Sequence, residues 1–348
     1  YGSLVFRPRF HSMEPPPPPT AAQREELARR DAALLELGLP SNATIDEGSP
    51  FTEEEAGVMD QVRAACGDEV VDFFDDEWRD RLVRGMWTHN KGTEEERLAD
   101  AISAFKSISA WRQKEAIDSI LTRKLKDDTI VMNHIRMTIG GDDLYGHVVW
   151  LEQLNDIATL CDCGLSAEEI KMIRAQGTEA VEAVKRNVAK SLGVRRYKQI
   201  YVLDLAPVSF GSLITRADVR NLTKEIMGVG SDYYPEGMWK IFIVNAPFIF
   251  RSVYAIISPF INVVTREKIK ILGGPRGFLP EFAKAGIDKR SIPTSIGGAH
   301  VGVDVLALIR AQQEAASAAR AGLDSSASAL RVLAGAGVTS APAGDASP

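Results

Sequence analysis

The 348-residue sequence contains few cysteines and histidines. Cys66, Cys161 and Cys163 are too few and too scattered to form a disulfide framework, so we expect them to be reduced. The five histidines show no metal-ligand spacing with these cysteines. We therefore expect neither a metal nor a cofactor, and reduced thiols favour a cytoplasmic location.

The sequence also lacks an excess of basic charge. Its net charge is −6 and its isoelectric point is about 5.6. General nucleic-acid binding needs a basic surface that neutralises phosphates, so we expect no nucleic-acid partner. Hydrophobic residues make up 45% of the chain and charged residues 25%, which is typical of a globular protein.

Signatures of enzymes are missing as well. Gly228 and Gly230 lack the third glycine of a dinucleotide fingerprint, and they follow a predicted helix instead of a strand. We found no P-loop lysine and no nucleophile elbow of the G-x-S-x-G kind. The sequence therefore predicts a protein that is not an enzyme.

No apolar run is long enough to span a bilayer. The most apolar segment, residues 241–261, is interrupted by Asn245, Pro247, Arg251 and Pro259, whereas a span needs about 20 apolar residues without charge. Burial in a core, or contact with another apolar molecule, must account for this segment.

The first part of the chain is predicted to be a leader followed by a helical lobe. Residues 1–20 form a proline-rich, disordered leader, in which Met13 is an alternative start. Residues 21–135 are predicted to be helical. Two capping boxes mark helix starts in this lobe, Thr52 with Glu55 and Thr93 with Glu96.

The pattern changes after the helical lobe. Within residues 136–303, the short runs HVVWLEQL, IYVLDLA, KIFIVNAP and IKILGG have strand composition and are separated by helical patterns. One of these helices starts at a capping box formed by Ser166 and Glu169. Alternating strands and helices predict an α/β domain with a mostly parallel sheet covered by helices. A helix over 304–320 and a disordered, alanine-rich tail over 321–348 follow.

The segment 248–261 is apolar around most of a helical circumference, which leaves two interpretations. It is either a buried core helix or a helix that lines a lipid-filled cavity and touches a membrane. The apolar residues at helical spacing are Phe250, Val253, Tyr254, Ile257 and Ile261, with Phe248, Ile249, Ile256 and Phe260 between them.

Several motifs in the second half occur in a fixed order. The segment YYPEGMWKIFIVNAPFIFRSVYAIISPFINVVTREKIKILGG, followed by IPTSIGG, resembles the CRAL-TRIO lipid-binding family, specifically the yeast-type phosphatidylinositol transfer proteins. The matching elements are Tyr233–Glu236, Asn245–Pro247, residues 248–261, Pro259–Ile269 and Pro293–Gly298. The resemblance covers most of residues 75–300 and implies a CRAL-TRIO-like domain with an apolar gate helix over 248–261.

The resemblance implies a headgroup site and an apolar wall. Glu236 would accept hydrogen bonds from inositol hydroxyls, Lys268 would neutralise the phosphodiester, and Thr265 would donate to phosphate. Without the resemblance, Glu236 would be interpreted as an ordinary carboxylate in a turn. Lys268 would be interpreted as a charge that protects the edge of a strand from pairing with another chain. The wall of the cavity would be formed by Phe248, Phe250, Val253, Tyr254, Ile257, Phe260 and Ile261.

The sequence departs from the family at two places. The family's arginine–lysine pair falls at His89 and Asn90, and the small hydroxyl residues that serve phosphatidylcholine fall at Gln199 and Tyr201. His89, Gln199 and Tyr201 are therefore possible ligand-binding residues. We expect that phosphatidylinositol binding is retained and that a second ligand is not phosphatidylcholine.

Two functions remain open at this point. The resemblance implies a monomeric, cytoplasmic protein that holds a phospholipid, phosphatidylinositol above all, and exchanges it during transient contact with membranes. The alternative is a non-enzymatic adaptor that senses another apolar ligand, such as a retinoid or a tocopherol, and presents a surface to a protein partner.

Overall fold

The computed structural model describes residues 18–250, 254–255, 258, 261 and 263–320. The predicted leader and the predicted tail lie largely or wholly outside these residues. Within the described part, the chain begins with helices α1 to α6, which span Ala21–Glu36, Glu53–Cys66, Asp68–Asp72, Asp76–Val83, Glu94–Lys114 and Asp128–His134. Helix α4 continues directly into a π-helical turn, Arg84–Thr88.

The helix starts predicted from capping boxes are confirmed. Thr52 caps α2 with Glu55, and Thr93 caps α5 with Glu96. In both boxes the threonine hydroxyl accepts from the third helical N–H, and the glutamate accepts from the cap N–H. These reciprocal bonds satisfy donors that have no partner within the helix, which is why the sequence locates the boundary so well.

A mixed sheet follows the helices. The described residues form six strands, β1 to β6, which span Ile135–Asp142, Val148–Leu154, Gln199–Asp204, Met238–Val244, Ile269–Ile271 and Val303–Asp304. Their order across the sheet is β5-β4-β3-β2-β1-β6. Strands β2 to β5 are parallel to one another, whereas β1 pairs antiparallel with both β2 and β6.

Helices connect and cover the strands, as the alternating pattern predicted. Helices α7 to α13 span Ile157–Cys161, Ala167–Leu192, Phe210–Thr215, Ala217–Tyr233, Val263–Glu267, Pro275–Lys284 and Val305–Arg320. The long helix α8 starts at the predicted capping box of Ser166 and Glu169 and ends at Gly193, whose φ of +67° is left-handed. Glycine adopts this conformation without steric cost.

The two faces of the sheet pack into different cores. On one face, Trp150, Tyr201 and Ile243 pack with α8, α10 and α13. On the other face, Val202 and Phe242 pack against α12. Because successive side chains of a strand point to opposite faces, both faces of β3 and β4 are buried, which explains their nearly continuous apolar sequence.

Buried ion pairs join the helical lobe to α8. Arg81 of α4 lies 3.0 Å from Glu182, and Arg112 of α5 lies 2.8 Å from Glu179. All four side chains are buried. An unpaired charge at such a site would cost several kcal/mol, so these pairs fix how the lobe sits on α8.

The glycine motif near the end of the domain closes against the chain itself. A Cβ added to Gly298 would lie 1.8 Å from the carbonyl oxygen of Ile292. A side chain at position 298 would therefore require the backbone to shift. No helix among residues 18–250 and 263–320 is both long and apolar enough to cross a membrane.

Candidate functional site

The turn Tyr233–Glu236 carries the residue on which the predicted site depends. Tyr233 ends α10 and stacks on Trp111 with ring centroids 3.9 Å apart, while the Tyr234 hydroxyl donates to Glu179 over 3.0 Å. The aromatic pair thus anchors the turn in the helical lobe. Glu236 then takes a left-handed φ of +54° before β4 begins at Met238.

Neighbouring groups hold this turn in its unusual conformation. The Arg81 guanidinium donates to the Pro235 carbonyl over 3.2 Å, and the Gln199 N–H donates to the Gly237 carbonyl over 2.9 Å. Gly85 lies directly beneath, since a Cβ built there would be 3.2 Å from the Glu236 Cβ. A left-handed non-glycine residue persists only where its surroundings fix it, and they do so here.

The carboxylate of Glu236 is buried among cations. Its Oε1 atom lies 2.8 Å from His89 Nδ1, 3.0 Å from Lys198 Nζ and 3.6 Å from Lys268 Nζ. Lys268 Nζ also donates to the Met238 carbonyl over 2.9 Å. The Glu236 side chain is only 7% exposed, so these partners replace the water that an ionised carboxylate needs.

A further carboxylate completes the site from the N-terminal side. Asp46 lies 2.9 Å from His89 Nε2 and 3.4 Å from Lys198 Nζ. His89 therefore bridges two carboxylates, one at each ring nitrogen. We call Asp46, His89, Lys198, Glu236 and Lys268 the ion cluster.

The charges of the ion cluster stabilise one another. Burial works against ionisation of Glu236, but the His89 hydrogen bond and the charges of Lys198 and Lys268 outweigh it and lower the pKa of Glu236 to about 2. Hydrogen bonds to Asp46 and Glu236 raise the pKa of His89 to about 9 against the effect of burial. Near neutral pH, Glu236 is ionised and His89 is protonated.

The elements bring these residues to one edge of the sheet. Lys198, Glu236 and Lys268 precede β3, β4 and β5 by one or two positions. Because these strands are parallel, their amino ends lie side by side. His89 follows the π-helical turn and donates its backbone N–H to the Arg84 carbonyl over 2.8 Å. The site thus lies where the helical lobe meets the amino edge of the sheet.

The structure brings together some of the predicted residues. Glu236, Lys268 and His89 meet in the ion cluster. Thr265 lies in the short helix α11 at the turn before Lys268, where its carbonyl accepts the Lys268 N–H over 3.1 Å. The Gln199 side chain is buried beside the turn, with its Nε2 3.7 Å from Met238 Sδ.

Tyr201 lies apart from the ion cluster, on the face of the sheet that packs with α8, α10 and α13. Its ring packs edge-on against Trp150 with centroids 5.3 Å apart. Burial and the Glu152 carboxylate raise the pKa of its hydroxyl, so Tyr201 stays protonated. Arg174 pairs with Glu152 and lies over the Trp150 ring. This polar group inside an apolar face was not anticipated from the sequence.

The predicted wall residues fall into three groups. Phe250 and Tyr254 pack against the core face that contains Tyr201, and Ile261 is half-buried. Phe248 lies on the surface instead, with 90% of its area exposed. It is part of the turn that the Phe250 N–H closes onto the Pro247 carbonyl over 2.9 Å. Val253, Ile257 and Phe260 lie outside the described residues, as does half of the predicted gate helix.

Sequence reasoning missed Lys198 and Asp46. Lys198 lies two positions before the run IYVLDLA and immediately before strand β3. That position next to a predicted parallel strand was the available signal. Asp46 lies in the loop GLPSNATIDEGSP, about 190 residues before Glu236 in the chain. No periodicity or spacing in the sequence connects two residues so far apart.

Comparison with known proteins identifies the domain. Residues 138–298 match the family model described as CRAL/TRIO domain. Residues 138–298 are a CRAL/TRIO domain. The resemblance drawn from the motifs of residues 233–298 is thereby confirmed, and the four-stranded parallel section of the sheet lies within the matched range.

The relatives of this chain include yeast and plant proteins. The SEC14 cytosolic factor of Kluyveromyces lactis is 25% identical over 198 residues, which cover 56% of this chain and 64% of that protein. The phosphatidylinositol/phosphatidylcholine transfer protein SFH11 of Arabidopsis thaliana is 33% identical over 97 residues, which cover 28% of this chain and 24% of that protein. The chain therefore spans less than two thirds of the length of these relatives.

A solved structure also matches the chain. It is described as the crystal structure of Sfh5, with a TM-score of 0.48 and 15% sequence identity, and the match covers 65% of this chain and 83% of that one.

Proposed function

We propose that this protein binds a phospholipid, phosphatidylinositol in particular, and exchanges it at membrane surfaces without catalysing a reaction. The ion cluster around Glu236 is the observation that carries the proposal. The ion cluster places a buried, ionised hydrogen-bond acceptor next to cations at the amino edge of the sheet. The hydroxyls of an inositol phosphate need such an acceptor, and its phosphate needs the cations. The relative from Arabidopsis thaliana is a phosphatidylinositol/phosphatidylcholine transfer protein, which supports the same ligand class.

The chemistry of the headgroup fits the ion cluster. Glu236 is an acceptor for ring hydroxyls, and Lys268 is a donor to the phosphodiester. The Lys268 side chain is 23% exposed and that of His89 is 26% exposed, so a ligand can reach both. Thr265, one turn before Lys268, is proposed to donate its hydroxyl to the same phosphate.

The acyl chains need an apolar wall. Removing a two-chain lipid from a bilayer exposes about 30 methylenes, which costs on the order of 20 kcal/mol. We propose that the core face with Phe250 and Tyr254, together with the rest of residues 248–261, supplies that wall. Phe248 and Ile249 are 90% and 49% exposed, and we propose that they enter the membrane when the segment opens.

Transfer of fluorescent phosphatidylinositol between vesicles tests the proposal. We expect the double variant Glu236→Ala/Lys268→Ala to lower the transfer rate at least tenfold. A matched control is Lys270→Ala/Glu281→Ala, which removes a pair 2.9 Å apart on β5 and α12, outside the ion cluster. The control should transfer lipid at the wild-type rate.

Two results would contradict the proposal. If the Glu236→Ala/Lys268→Ala variant transferred phosphatidylinositol as well as the wild type, the assignment of the site would be wrong. If the wild-type chain exchanged no phospholipid but was recovered with a retinoid-like or tocopherol-like ligand and a protein partner, it would be a lipid-sensing adaptor.

We further propose that the protein is monomeric and cytosolic, with only transient membrane contact.

A further inference from the structure

The loop that carries Asp46 is held rigidly at the ion cluster. Glu47 is buried and accepts the backbone N–H groups of Tyr197 and Lys198 over 2.6 and 2.8 Å. Its other oxygen lies 2.8 Å from Nε2 of the buried His147. These bonds tie the loop to the amino end of β3, directly beside Lys198.

The backbone of the same loop is fixed from the other side. The Arg84 guanidinium donates to the carbonyls of Asp46 and Ser49, and the Ser49 N–H closes a turn onto the Asp46 carbonyl over 2.9 Å. Gly48 has a φ of +82°, and a Cβ there would lie 2.6 Å from the Arg195 Cβ. Asp46 is therefore a fixed part of the site.

Asp46 occupies the solvent side of the ion cluster. Its side chain is 39% exposed, against 7% for Glu236, and both carboxylates contact His89 and Lys198. A ligand oxygen drawn to His89 must therefore approach Asp46 as well. Because His89 and Lys198 are shared, Asp46 competes with any anion for the same donors.

The charges of the ion cluster match a ligand of low charge. His89, Lys198 and Lys268 contribute three positive charges, and Glu236 and Asp46 contribute two negative charges, which leaves one positive charge. One phosphodiester neutralises that charge. An inositol ring with an additional phosphate brings about 1.5 to 2 further negative charges near Asp46, and like charges this close repel each other.

We infer that Asp46 is a specificity-determining residue of the site, which favours an inositol lipid with a single phosphodiester over one whose ring carries a further phosphate. The inference rests on the proposed function and concerns which member of that lipid class is bound. Removing the Asp46 charge should improve binding of the phosphorylated lipid. Loss of a merely structural contact would weaken binding instead.

The test compares two lipids in one competition assay. Binding of phosphatidylinositol and of its ring-monophosphorylated form is measured from vesicles that otherwise contain only neutral lipid. We expect the wild type to prefer phosphatidylinositol at least tenfold, and Asp46→Asn to narrow that ratio about three- to tenfold by tightening binding of the phosphorylated lipid.

The control variant is Glu267→Gln. It removes the same charge beside Lys268, from an exposed residue that pairs with Lys91 at 2.5 Å. We expect it to leave the ratio within twofold of the wild type. An unchanged ratio in Asp46→Asn, or an equal change in Glu267→Gln, overturns the inference.

The remaining outcomes are also informative. If Asp46→Asn fails to fold, Asp46→Glu is measured instead, because it retains the negative charge. The Asp46→Glu variant must keep the wild-type preference for phosphatidylinositol. Loss of that preference overturns the inference. Equal binding of both lipids by the wild type overturns it as well. If the wild type binds neither lipid, the proposed function itself fails, and this result is distinguishable from the others.

Discussion

The imidazole Nδ1 of His89 lies 2.8 Å from Oε1 of Glu236, although 147 residues separate them in the chain. This contact connects the end of the π-helical turn to the turn before β4. His89 also contacts Asp46 through its second ring nitrogen. A protonated His89 therefore links the N-terminal loop, the helical lobe and the sheet.

The His89 contacts predict a pH dependence of stability. Folding raises the pKa of His89 from 6.5 to about 9, so its contribution is fully present below about pH 6.5 and is lost as the pH rises through 9. Between pH 7 and 9.5 the wild type should lose about 2 kcal/mol more of its free energy of unfolding than His89→Gln. Urea denaturation at both pH values measures this difference. Parallel losses in the two proteins would show that His89 is not the titrating group.

Lys198 predicts a large loss of stability on truncation. Lys198→Ala removes the ammonium group that lies 3.0 Å from the buried Glu236 carboxylate. Breaking a buried ion pair costs about 3 to 5 kcal/mol of the free energy of unfolding. Lys240→Ala is the control, because the half-buried Lys240 lies near the Trp239 ring, in a cation–π contact that contributes less. Chemical denaturation should show a loss at least twice as large for Lys198→Ala. Equal losses would contradict the central place of Lys198 in the ion cluster.

Gly298 predicts a steric effect within the closing motif. Gly298→Ala would place a Cβ 1.8 Å from the Ile292 carbonyl oxygen, so the backbone must move, and we expect a loss of about 2 kcal/mol or more. Gly273→Ala is the matched control, since a Cβ there meets no atom within 4 Å among the described residues. Thermal unfolding should give a lower midpoint for Gly298→Ala only. A midpoint equal to that of the control would show that the segment relaxes freely.

Phe248 predicts an effect on membrane contact without an effect on folding. Its side chain is 90% exposed, and inserting such a side chain into a bilayer contributes about 1.5 to 3 kcal/mol. Phe248→Ser should therefore weaken vesicle binding at least tenfold and leave the unfolding midpoint unchanged. Leu35→Ser, at an apolar residue 78% exposed on α1, should leave vesicle binding unchanged. Equal weakening by both substitutions would exclude a specific membrane-contact role for Phe248.

Local patterns predicted much of the fold. The capping boxes at Thr52, Thr93 and Ser166 fixed helix starts, because a cap involves residues only three positions apart. The strands β2 to β5 were recognised from their apolar, β-branched composition. Strand β1 and its antiparallel pairing were not, because the pairing of IRMTIGGD depends on a partner strand and not on its own sequence.

The candidate site was predicted only in part. Glu236, Thr265 and Lys268 were located through the resemblance, since they lie in motifs with fixed spacing. Lys198 and Asp46 reach Glu236 through the tertiary structure, and no local pattern marks such contacts. Where the family's arginine–lysine pair is absent, the site instead contains Lys198, Lys268 and a protonated His89. The carboxylates of Asp46 and Glu236 stabilise that protonated form.

Identification of the lipid that copurifies with the full chain tests the central proposal most directly. After extraction, mass spectrometry should find phosphatidylinositol as the main inositol lipid and about one lipid per protein molecule, with Glu236→Ala/Lys268→Ala depleted of it. Choline lipid as the dominant species, or a protein that carries no lipid and takes up none from vesicles, would contradict the account.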